Sequence, residues 1–292
     1  MCVRSNETVL LSNLCETTNL KVLTNHSDLS SKLFVYCLGC ICFPCLSKEC
    51  IDISSGCIHS LVSNQAGSGS RIDLARLGRF CRERGIVLAV DAIQGLGRLK
   101  MDVEECCVDF LTCGGFKGLA AGFGIGFLYC ADWLLPRVEP LLAGDFCTVA
   151  ELNAPEVYRE DFPMDYLDSA LRFEGGSSNT PGIWQLHHAL SLIQELGGEQ
   201  IEDHILSLER RLRAAIAHCG LDVLPAGEKP SGMVIAWYPR ERCSQAEEIL
   251  KKYKIHMTHH EGYLRLSIAL HNTPEQMDAV AAAFREIGKL KG

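Results

Sequence analysis

The residues best suited to chemistry lie where short apolar runs end. Ile86–Val90 is a β-rich run closed by Asp91, and Ala92-Ile93-Gln94 follows it directly. Val108–Leu111 is a second run, and beyond it stands Gly114-Gly115-Phe116-Lys117-Gly118. A third, Ile125–Cys130, is entered through Gly122-Phe123-Gly124. A carboxylate and an amine in such places are groups used for proton transfer and nucleophilic attack, with the amide available for hydrogen bonding. Farther on, Tyr263, Arg265 and Ser267 share one face of an alternating strand, where a guanidinium can grip a carboxylate with two parallel bonds. Each has an ordinary alternative: a turn aspartate, a surface lysine, an exposed arginine.

The elements around these residues predict an α/β fold, a mostly parallel sheet with flanking helices joined to a small α+β carboxy-terminal domain. Asp73–Gly85 has helical apolar spacing, with Ser70 and Asp73 as a capping pair and Gly85 as the stop. Buried strands alternating with helix imply parallel pairing, and open sheets of that kind bind ligands at the carboxyl ends of their strands. Asp91 and the glycine-rich turn before Lys117 are therefore where a site is expected. Pro181–Leu196 and Glu199–His218 read as helices, Met233–Tyr238 and Leu264–Ile268 as strands, and Pro274–Leu290 as a closing helix. The expected divisions are 1–57, 58–150, 151–182 and 183–292: an atypical leader, a partial large domain, a linking segment, and an interdomain helix with the small domain.

Several function classes are excluded. A net charge of -8, from 28 Lys+Arg against 36 Asp+Glu, argues against a nucleic-acid partner, which needs a basic face. The most apolar run, Leu33–Leu46, has 14 residues and contains Pro44, short of the roughly 18–20 that cross a bilayer. No export signal precedes it, and a cytoplasmic protein is expected. Among 16 cysteines, eight fall in residues 1–57. Cys37, Cys40, Cys42 and Cys45 form two C-x-x-C pairs one residue apart, too close to close a zinc tetrahedron, and no metal is expected. His187–His188 and His259–His260 are adjacent pairs whose side chains diverge on a helix or strand. The dinucleotide, P-loop and serine-elbow motifs are absent.

The order Asp91–Gln94, Val108-Asp109-Phe110, Gly114–Gly118, Gly124–Phe127, Phe173-Glu174-Gly175-Gly176-Ser177, Leu264–Ser267 and Asn272-Thr273 resembles the class V aminotransferases of the fold-type I pyridoxal-phosphate superfamily. That group includes cysteine desulfurases, selenocysteine lyases and isopenicillin-epimerase-like proteins. The resemblance covers about Leu61 to the carboxy terminus. It implies pyridoxal 5'-phosphate as cofactor, with Asp91 on the ring nitrogen, Gln94 on the ring oxygen and Lys117 carrying the Schiff base. It implies that Arg265 clamps the carboxylate of an amino-acid substrate and that Ser177 reaches the phosphate in a neighbouring subunit, hence a homodimer.

Three departures from the family stand out. Phe116 and Gly114 occupy positions where the family usually has a histidine and a serine that help hold phosphate. Residues 1–57 resemble nothing in the family's amino-terminal third, so the chain reads as a member in which that third is missing or replaced. No cysteine follows Cys243, and Lys254–Gly262 reads KIHMTHHEG where a desulfurase would carry its nucleophile. The expected function is transamination, lyase or epimerase chemistry on an amino acid. The alternative is a catalytically impaired or non-catalytic member, and cysteine desulfurase or selenocysteine lyase ranks behind both.

Overall fold

A computed structural model describes residues 9–12, 59–62, 69–138, 140, 147–149, 165–174, 176, 178–226, 229–260 and 262–290. The chain divides into two compact units. The first is Met1–Ser63, Asp73–Ile93 and Met101–Leu192, and the second is Asn64–Ile72, Gln94–Lys100 and Ile193–Gly292.

The first unit is built on a five-stranded sheet of β1 (Val9–Ser12), β2 (His59–Val62), β3 (Leu88–Asp91), β4 (Phe110–Gly114) and β5 (Ile125–Cys130) in the order β1-β5-β4-β3-β2. Strands β2, β3 and β4 run parallel, while β5 is antiparallel to both β4 and β1. Helix α1 (Leu74–Glu83) precedes β3. Asp73, rather than Ser70, caps it by accepting from the Arg76 amide, and Gly85 ends it with φ +64°, a conformation that suits glycine. Gly78 faces the Cys106 carbonyl so closely that a side chain there would collide with backbone.

Strand β4 lies two to three residues farther along than the apolar run Val108–Leu111 suggests. Val108 and Asp109 are buried but outside the strand. Thr112, Cys113 and Gly114 enter the ladder because Leu128, Phe127 and Gly126 of β5 pair with them. Pairing partners override local hydrophobicity here. Below the sheet, Val87, Phe110, Leu128, Cys130, Leu134, Leu135 and Val138 form one buried cluster, onto which Phe173 packs edge-on against Phe110. Helix α2 (Thr180–Leu196) follows.

The second unit is α+β. Strands β6 (Asp222–Val223), β7 (Met233–Trp237), β8 (Thr258–His260) and β9 (Tyr263–Ser267) form an antiparallel sheet in the order β6-β7-β9-β8. Helices α3 (Gly198–Ile216), α4 (Cys243–Lys252) and α5 (Pro274–Gly288) accompany it. Sequence reading missed α4, because CSQAEEILKK shows only Ala246, Ile249 and Leu250 as its buried stripe among charges. In α3, Glu209 is buried, where it accepts from Arg213 and from the Gly232 amide. No helix among the described residues is long and apolar enough to cross a membrane.

Candidate active site

Asp91 ends β3, aligned with Thr112 of β4, whose carbonyl then accepts from the Ala92 amide. One carboxylate oxygen accepts from the Ile93 amide at 2.9 Å. Burial pushes the Asp91 pKa up, opposed by that amide and by the positive charge of Lys117. The carboxylate and the lysine are therefore within electrostatic reach of one another. The Cys113 thiol is pushed up as well, mainly by burial, and it too feels Asp91 and Lys117.

Lys117 is exposed in the connection from β4 to β5. Three backbone bonds close that connection: Gly115 to the Ile125 carbonyl, Ala120 to Lys117, and Ala121 to Gly115. Ala120 takes φ +55° to complete it. Lys117 Nζ stands 5.4 Å from the centre of the Phe116 ring, which stacks on Phe123 at 4.9 Å. Phe123 is 80% exposed. Where relatives are expected to place a histidine, this chain has an aromatic wall beside the lysine.

The segment leading to Ser177 is anchored from beneath. Arg172 is buried and donates to the carbonyls of Leu167, Leu135 and Val138. Glu174 is half-buried, which raises its pKa. Ser177 itself lies outside the described residues, as do the leader cysteines Cys37, Cys40, Cys42 and Cys45 and the side chains of His259 and His260. Asn179, overlooked in the sequence, donates to the Gly124 carbonyl and accepts from the Gly182 amide, fixing the glycine turn before β5.

Gln94 and Arg265 belong to the second unit. Gln94 sits in the turn that follows Ile93, and its carbonyl accepts from Arg98. Arg265 alternates with the buried Leu264 and Leu266, as its strand pattern requires, and donates to the Thr258 hydroxyl at 2.8 Å. Trp237 packs on Tyr263, the neighbour on the same face.

The family model for class V aminotransferases matches residues 54–280. The chain belongs to the class V aminotransferases. Among curated relatives, a probable cysteine desulfurase of Methanothermobacter thermautotrophicus is 30% identical over 156 residues, 53% of this chain and 36% of that one. An uncharacterized aminotransferase of Bacillus subtilis is 29% identical over 216 residues, 72% of this chain and 55% of that one. The cysteine desulfurase of Thermococcus onnurineus NA1, solved in its apo form, superposes with a TM-score of 0.72 at 23% identity, covering 81% of this chain and 61% of that one. That likeness is one of fold. The chain spans about half the length of the curated relatives it matches.

Pyridoxal phosphate is the cofactor of this family, and the residues present fit its reactive half. A carboxylate partly withdrawn from solvent at the end of β3 and an exposed amine within its field are the two groups that such a ring and its aldehyde require. At the positions where the resemblance implies phosphate-holding side chains, Gly114 and Phe116 offer no side-chain hydrogen-bond donor.

Proposed function

We propose that this class V aminotransferase acts on an amino acid through pyridoxal phosphate, with Lys117 as its covalent anchor and proton carrier. The observation that supports this reading is the half-buried Asp91 carboxylate, its pKa raised by burial, lying within the electrostatic reach of the Lys117 amine. When bound, the cofactor draws electrons away from the substrate carbon that bears the amino group. Asp91 holds a proton at the ring nitrogen, because a carboxylate short of water gains most from a cationic neighbour. Lys117 Nζ moves a proton at the reacting carbon. Gln94 steadies the ring oxygen. Arg265 holds the substrate carboxylate in its two-pronged fork. Ser177 serves the phosphate bound by a second copy, so the working unit is a homodimer.

The reaction is transamination, elimination or epimerisation. A cysteine desulfurase is the second reading, favoured by the names of several relatives. Against it stands the lack of any cysteine beyond Cys243. Measuring sulfide release from cysteine against amino transfer to a 2-oxo acid separates the two.

The decisive test is absorption. Purified protein mixed with pyridoxal phosphate develops a band near the visible edge, and Lys117→Ala abolishes it. A wild type without the band, or a variant that keeps it, overturns the reading and leaves a non-catalytic family member.

A further inference from the structure

Arg98 is the most fully engaged buried cation among the described residues, yet nothing in the proposed chemistry uses it. It is 6% exposed. Its Nε donates to the Ile268 carbonyl at 2.8 Å and its Nη1 to the Gln94 carbonyl at 3.1 Å. Its Nη2 reaches the carbonyls of Gly232 at 2.9 Å and Ser231 at 3.4 Å. Every nitrogen of the fork is thus spent on backbone, and among the described residues no carboxylate side chain forms an ion pair with it.

Those four carbonyls belong to three places. Gln94 is the residue assigned to the cofactor ring oxygen. Ile268 lies one residue past the end of β9, three residues after Arg265. Gly232 closes the arrangement, because its carbonyl also accepts from the Ile268 amide at 2.8 Å. Gly232 adopts φ +71°, and a side chain there would come within 2.8 Å of Arg98 Nη2. On the far side its amide donates to Glu209, which also holds Arg213, and Arg213 in turn donates to the Leu224 and Met233 carbonyls. The glycine, the arginine and the buried carboxylate form one frame.

We propose that Arg98 is a positioning residue that ties the Gln94 turn to the exit of the Arg265 strand. In this role it sets the cofactor-facing amide and the substrate-binding guanidinium together. A planar fork with five fixed donors can hold three such segments at one spacing, whereas a lysine ammonium cannot reach all four carbonyls. The inference rests on the roles given to Gln94 and Arg265 above.

The test uses the full chain with Arg98→Met, Arg98→Lys, Gln94→Ala and the Arg98→Met/Gln94→Ala pair, read two ways. By titration of the visible-edge band, Arg98→Met raises the pyridoxal-phosphate dissociation constant about tenfold or more, Arg98→Lys raises it less, and the double variant stays within about threefold of the weaker-binding single, since both act through one contact. By hydrogen exchange without cofactor, Arg98→Met speeds exchange at residues 94–99 and 268–270 while α5 keeps its protection. Effects that multiply in the double variant overturn the proposal. So does an unchanged dissociation constant with unchanged exchange, and so does failure of both Arg98 variants to fold, which would make Arg98 a core residue only. If the wild type forms no band, the proposed function fails, and the exchange measurement alone decides for or against Arg98.

Discussion

Replacing Asp109 with alanine separates the support of the site from its chemistry. Asp109 is 6% exposed and serves two donors. Its Oδ2 accepts from the Leu88 amide at 2.9 Å, and its Oδ1 from the Trp133 indole N–H at 3.0 Å. Leu88 is fully buried, so Asp109→Ala leaves its N–H without a partner and without water, at a cost of about 1–3 kcal/mol. Trp133 is 47% exposed and can turn its N–H to solvent, so that bond adds only about 0.5–1.5 kcal/mol. The total is about 1.5–4.5 kcal/mol. Leu88 opens the strand that ends in Asp91, so the loss falls on the alignment of β3 with β4. Urea denaturation with a shared slope measures it, and a fall of about 2–4 °C in Tm per kcal/mol should accompany it. Asp109→Asn keeps one acceptor and lands between wild type and alanine. With pyridoxal phosphate saturating and the protein folded, the absorption band keeps its position in both variants. A loss below about 0.5 kcal/mol for alanine, or an asparagine variant as damaged as the alanine one, would refute the hydrogen-bond account.

Two further predictions concern charge and capping. Burial raises the Asp91 pKa in the fold above its unfolded value, so the folded state keeps that proton longer and stability falls as pH climbs from the ordinary aspartate range through the raised value. Asp91→Asn retains an oxygen for the Ile93 amide and removes that loss. Without cofactor the variant melts above wild type at neutral pH, the gap narrows in acid, and pyridoxal-phosphate binding weakens; a wild type that melts at or above the variant at pH 7 contradicts this. Thr273 caps α5 by accepting from the Gln276 amide, while Gln276 accepts from the Thr273 amide in return. Thr273→Ala should cost about 1 kcal/mol in urea titration, and no measurable change would remove the capping box from the account.

The strand ends that carry the candidate residues were legible in sequence because their patterns are local. Asp91, Gln94 and Lys117 stand within 27 positions, each next to an apolar run or glycine pair that marks a strand end, and the alternation Tyr263, Arg265, Ser267 placed the arginine on the polar face of β9. The α/β class and most of the helices follow from such short-range patterns, and the family follows from the motifs that resemble it. What could not be read were the partnerships across long stretches of chain. Asp109 looked like one member of a motif, yet it serves the backbone of Leu88 and the ring of Trp133. Arg98 stands in a glycine-bearing turn, where nothing in the local sequence marks it, yet it meets carbonyls 133, 134 and 170 residues away. Asn179 bridges to Gly124 across 55 residues.

The same division explains strand β4. Its apolar start was visible, but its end at Gly114 was set by β5, which returns antiparallel and lends hydrogen bonds to Thr112, Cys113 and Gly114. Residue types and short spacings determine which chemistry is available and which period each segment follows. Which buried polar group meets which distant backbone atom depends on how the chain closes on itself, because a buried donor or acceptor is held by whatever partner the packing brings to it.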